Sequence, residues 1–126
     1  MIDPVVFPAD IELCPLNAEE EGRGMFRLDK PLPVRLFGET IEIPAGFRTD
    51  GASLPWYARP FIDVWGRDGR PAILHDWLWD QPDWPKWLID LVFLLALKAE
   101  GVSDFRATVM YFAVRTAHRP LARPVR

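Results

Sequence analysis

Three polar residues stand where apolar neighbours dominate, and all are of types that do chemistry. Asp90 lies in the run Trp87-Leu88-Ile89-Asp90-Leu91-Val92-Phe93-Leu94-Leu95, which as a helix is apolar nearly all round and hence central. A buried carboxylate must pair, accept hydrogen bonds or take up a proton. Lys86 is four residues earlier on the same face and is its nearest candidate partner. His75 and Asp76 sit among Ile73, Leu74, Trp77 and Leu78, so one of the two must point at the core. His75 shares a helical face with Trp79, and Asp76 with Asp80. Asp50 and Ser53 belong to the turn Thr49-Asp50-Gly51-Ala52-Ser53-Leu54-Pro55, where short polar side chains can satisfy loop backbone.

These residues admit a structural reading and two catalytic ones. A network joining Asp90, His75 and the 49–53 turn would lock sheet to helices. Alternatively, Asp50, His75, Asp76 and Asp90 have the ligand types of a carboxylate-rich metal site with an open position for water, as in a small metal-dependent hydrolase. Their spacing contains neither H-E-x-x-H nor H-x-x-E-H. Metal-dependent phosphohydrolases with a His-Asp dipeptide need a further upstream His, and none precedes His75. A Ser53–His75–Asp90 triad is the remaining option, although Gly51-Ala52-Ser53-Leu54-Pro55 lacks the second glycine of a nucleophile elbow. Cys14 lies in a proline-flanked segment with no helix start to lower its pKa. There is no Gly-rich phosphate loop, and Arg67-Asp68-Gly69-Arg70 reads as a hairpin-like turn. No cofactor is expected.

The elements that must position these groups divide into a β half and an α half. Residues 25–28, 34–37 and 40–43 read as strands, the last alternating cleanly. Prolines near their ends predict short edge strands. Pro71 suits a first helical position, opening a helix through Trp79 that Pro82 stops. Pro85 opens a second helix that runs to Gly101, and Ser103 caps a third. Phe105, Val109, Phe112 and Thr116 stack on one face of that third helix, with Met110 and Ala113 beside them. The expectation is an α+β fold, a small antiparallel sheet from the N-terminal half packed against about three C-terminal helices. Residues 25–118 form its single domain, after an extension over 1–24 and before a basic tail over 119–126.

Composition narrows the function classes. The 126 residues carry 15 Lys+Arg, 18 Asp+Glu and one Cys, which excludes an internal disulfide framework and a Cys-rich zinc site. The net charge of −3 gives no reason to expect nucleic acid or membrane as a partner. Residues 1–63 hold 11 acids and 6 bases, and residues 64–126 hold 7 acids and 9 bases, so the C-terminal half is the basic one. The apolar run Leu91 to Leu97 is too short to span a bilayer, which takes about 20 residues. With no basic, apolar leader at Met1-Ile2-Asp3-Pro4, synthesis in a cytoplasm is expected. All six tryptophans fall between Trp56 and Trp87. Trp77 and Trp87 read as core fillers that wall in the polar network. Trp56, Trp79 and Trp84, near prolines or in loops, read as partner contacts. Arg119, Arg123 and Arg126 in the acid-free tail join them as candidates for docking on an acidic neighbour.

Taken together, the blocks Ile43-Pro44-Ala45-Gly46-Phe47-Arg48-Thr49-Asp50-Gly51-Ala52-Ser53-Leu54-Pro55, Ala72-Ile73-Leu74-His75-Asp76-Trp77-Leu78-Trp79, Asp90-Leu91-Val92-Phe93 and Met110-Tyr111-Phe112-Ala113-Val114-Arg115 resemble the domain-of-unknown-function family 1353. The resemblance runs over roughly residues 25–118, with Asp50, Ser53, His75, Asp76 and Asp90 on the family's polar motif positions. Trp77 and Trp79 stand where tyrosines are common, and Lys86 where an arginine is usual. The resemblance implies a small protein of tailed bacteriophages or prophages. From it we expect a virion-associated tail or tail-tip protein, bound to other phage structural proteins as an oligomer or assembly component. The contrasting expectation is a small hydrolase acting on peptidoglycan.

Overall fold

The computed structural model describes residues 3–10, 13–15, 26–49 and 69–116. Two three-stranded antiparallel sheets come first. One is ordered β1-β4-β5, from Val5–Val6, Leu32–Leu36 and Glu39–Ile43. The other is ordered β2-β3-β6, from Leu13–Pro15, Phe26–Leu28 and Arg48–Thr49. Helices α1 (Gly69–Trp79), α2 (Lys86–Ala99) and α3 (Asp104–Thr116) follow, giving the expected α+β class. Segments expected to form a separate extension are built into the sheets: Val5 pairs with Leu36, and Leu13 with Leu28.

The hairpin β4–β5 turns through Phe37 and Gly38, at φ 51° and 87°. With Leu36 opposite Glu39, this is a two-residue loop with both residues left-handed, the geometry that matches strand twist. Alternation along β4 buries Leu32, Val34 and Leu36 while Arg35 faces out. β4 is the central strand, which corrects the expectation of edge strands only. Pro33 survives there because its nitrogen needs no partner. The Leu36–Glu39 closure places Pro33 and Glu42 at a non-hydrogen-bonded position, and β1 reaches only Leu36 and Arg35 on the other side.

Local signals end the helices where the sequence puts them. Pro85 precedes α2 in extended backbone, at φ −69° and ψ 148°. Gly101, at φ 84°, closes α2: its N–H donates to Lys98 O and the Val102 N–H to Leu97 O, both at 3.0 Å. That is a Schellman end, sealed by Val102 against the Leu97 core. Ser103 Oγ accepts from the Arg106 N–H at 3.3 Å and caps α3. Gly69 and Arg70 lie inside α1, correcting the turn expected over 67–70; residues 67 and 68 are outside the described residues.

The core has two parts. Sheet residues Val5, Leu28, Val34 and Ile43 meet Ile73, Leu74 and Leu78 of α1 and Ile89, Val92 and Ala96 of α2. A second cluster joins Phe93 and Leu97 of α2 to Ala107, Met110, Ala113 and Val114 of α3. The face of α3 turned inward is thus the one carrying Ala107, Met110, Ala113 and Val114. Phe105 and Phe112 are 79% and 60% exposed, on the side away from the core.

Candidate functional site

Asp90 is completely buried in the middle of α2 and is answered from all three helices. His75 of α1 meets its Oδ1 through Nε2 at 2.9 Å. Lys86 Nζ, one turn earlier on α2, donates to Oδ2 at 2.7 Å. Arg115 in the last turn of α3 donates from Nη1 to the same oxygen at 3.0 Å. Lys86 also donates to Val114 O at 2.7 Å, one of the α3 carbonyls that lacks a helical partner, and sits 5.6 Å from the Trp79 ring centre. A cation in the first turn opposes the α2 dipole; its position is explained by the α3 terminus and carboxylate it serves.

Burial by itself would raise the Asp90 pKa, but the hydrogen bonds from His75 and Lys86 outweigh it and hold the carboxyl below its ordinary range. An ionised carboxylate only accepts, so Nε2 of His75 carries the proton. Burial lowers the His75 pKa despite the neighbouring carboxylate, which keeps the ring neutral. Its Nδ1 is left with an unshared pair and, among the described residues, no hydrogen-bond partner. The rings of Phe93 and Trp79, with centres 5.0 and 5.5 Å away, cover the imidazole. Neither His75 nor Asp90 has any exposed side-chain surface.

The structure therefore joins His75, Lys86 and Asp90 as their types and spacing suggested. Asp76 is also buried, but a helix turns successive side chains about 100° apart, so it leaves α1 in another direction. Among the described residues no three His, Cys, Asp or Glu are grouped to hold a metal ion. Asp50, Ser53, Trp56, Arg119, Arg123 and Arg126 lie outside the described residues, so their candidate roles have no geometry here.

The expected division of the tryptophans is corrected. Trp79 is 2% exposed and packs on His75, so it is a core residue, whereas Trp87 is 58% exposed. The reason is helical phase: Trp79 shares the His75 face, and Trp87 falls on the solvent side beside Lys86. Trp77 and Trp84 are partly buried against the main core.

Sequence reasoning missed two arginines. Arg115 has no local partner in the sequence, and only the antiparallel return of α3 along α2 brings it to Asp90. Arg70 forms a two-bond fork with Glu100, at 2.7 Å each, and donates to Ala9 O at 2.8 Å. Its guanidinium also lies 5.1 Å from the Phe7 ring centre, so one side chain ties α1, the end of α2 and the N-terminal segment together. Nothing local in the sequence marks either pairing.

Fold and site define a small α+β domain whose three helices close on a buried His75–Asp90 pair that the partly exposed Lys86 and Arg115 join. Residues 26–114 match the model of a family described as protein of unknown function (DUF1353), and the chain belongs to that family. No curated protein matches the chain, and no solved structure does.

Proposed function

We propose that the protein is a virion component of a tailed phage, in the tail or tail tip, working through protein–protein contacts rather than catalysis. The observation that carries this reading is an inversion of the usual layout. Of the groups that look like chemistry, His75, Asp76 and Asp90 are enclosed, while Trp87, Phe105 and Phe112 face water. Enclosed charges joined by hydrogen bonds fix the arrangement of three helices. Large apolar side chains kept on a surface mark places where another protein docks. The partners on this reading are other structural proteins of the particle, and the resemblance to phage proteins supports that context.

Mass spectrometry of purified particles from the encoding phage or induced prophage tests the proposal. The protein is expected at a fixed stoichiometry to the tail proteins. Its detection in infected-cell lysate but not in particles would overturn the reading.

A small metal-dependent hydrolase, acting on peptidoglycan, is the second reading, and one observation favours it. Among the described residues the Asp90-oriented imidazole has no hydrogen-bond partner at Nδ1, as a general base or metal ligand requires. Bound metal by elemental analysis, with cell-wall clearing in a zymogram lost in His75→Ala, would replace the first reading with this one.

A further inference from the structure

Both phenylalanines of α3 stand outside the core. Ala107, Met110, Ala113 and Val114 face inward, while Phe105 and Phe112 stand in water on the opposite face, with the partly exposed Val109 between them. Phe105, Val109 and Phe112 recur at i, i+4 and i+7, the spacing of a single apolar stripe. The stripe is nearly symmetric about its centre. At about 1.5 Å per residue, Phe105 lies about 6 Å to one side of Val109 and Phe112 about 4.5 Å to the other. One flank repeats this symmetry in charge, with Asp104 in the first turn and Arg115 in the last. Asp104 is well exposed in a surface pair with Lys98 at 3.5 Å, and Arg115 keeps more than a third of its side chain exposed while bonded to Asp90.

We propose that this outward face of α3 pairs, antiparallel and with two-fold symmetry, with the same face of a second copy of the chain. In that arrangement Phe105 of each copy meets Phe112 of the other, and Val109 packs near the axis. Antiparallel helices related by a two-fold bring like flanks together, so each Asp104 faces the other copy's Arg115. The two helix dipoles also oppose, placing each N-terminus beside a C-terminus. The near-symmetric stripe and a flank whose exposed ends carry opposite charge are complementary to themselves, which favours a second copy over a helix of another sequence. The inference deepens the assembly reading above by naming the occupant of one face. An interface of this stripe alone is smaller than the roughly 800 Å² per partner of a standard complex, so a concentration-dependent dimer is expected.

Sedimentation velocity on the full chain across a concentration series tests it. A monomer–dimer equilibrium is expected, weakened about thirtyfold or more by Phe112→Asp, and weakened less by Asp104→Arg. Thr108→Cys, on the charged flank near the axis, is expected to cross-link two copies under oxidation in a Cys14→Ser background. Circular dichroism verifies that these surface variants stay folded. A monomer up to about millimolar concentration would overturn the proposal. A dimer unaffected by Phe112→Asp would overturn it equally, by placing the interface elsewhere. If the chain is monomeric but Phe112→Asp blocks incorporation into particles, α3 docks on a different protein; self-pairing then fails while the assembly reading stands.

Discussion

At the residue scale, Asp90 is the member of the cluster whose removal costs most. Asp90→Ala strands a buried imidazole and a largely buried ammonium, for which a loss of about 3–5 kcal/mol is expected in urea unfolding. Asp90→Asn keeps the shape and an acceptor oxygen, so its loss is expected to be smaller. The cluster also sets a pH dependence. The unfolded chain takes up a proton at His75 near the ordinary pH of 6.5, which the folded chain refuses. The contribution of His75 is therefore fully present above that pH and is lost as pH falls toward its depressed folded value. Asp90, held below its ordinary 3.8, adds a second loss at more acid pH. Melting temperature is expected to decline from pH 7 through pH 5 and to fall further below 4. A stability profile flat across the first window would contradict the neutral, buried assignment of His75.

At the element scale, punctuation was legible and long-range pairing was not. Pro85, Gly101 and Ser103 act on backbone within a few residues, so they marked the ends of α2 and the start of α3 correctly. Lys86 and Asp90 were legible as a pair because one helical turn separates them. Arg115 is 25 residues from Asp90, and Arg70 is 30 from Glu100. Only the way α3 and α1 fold back on α2 makes those pairs, and nothing local encodes it. The orientation of α3 was misleading because its phenylalanines are not on the face that packs. Two tests belong here. Arg70→Lys cannot reproduce the fork on Glu100 and is expected to cost about 1–2 kcal/mol. Phe37 holds a left-handed conformation that costs an ordinary residue about 1–2 kcal/mol and that Asn tolerates. Phe37→Asn is therefore expected to raise the melting temperature by several degrees, as differential scanning calorimetry would register.

At the scale of the whole molecule, the fold turns its two notable endowments in opposite directions. The His–Asp pair that suggested catalysis is enclosed by α1, α2 and α3, and the aromatic residues that suggested a core lie partly outside it. No helix of the described residues is long and apolar enough to cross a membrane. A surface of this kind fits a protein whose work is contact. The enclosure of His75 is the claim on which that reading rests, and ¹⁵N NMR titration of the imidazole in the intact protein measures it directly. The account requires Nε2 to stay protonated and Nδ1 bare from neutral pH to well below 6.5, up to the onset of acid unfolding. An imidazole that titrates reversibly near 6.5 in the folded chain would contradict it, and would reopen the cluster as a working site.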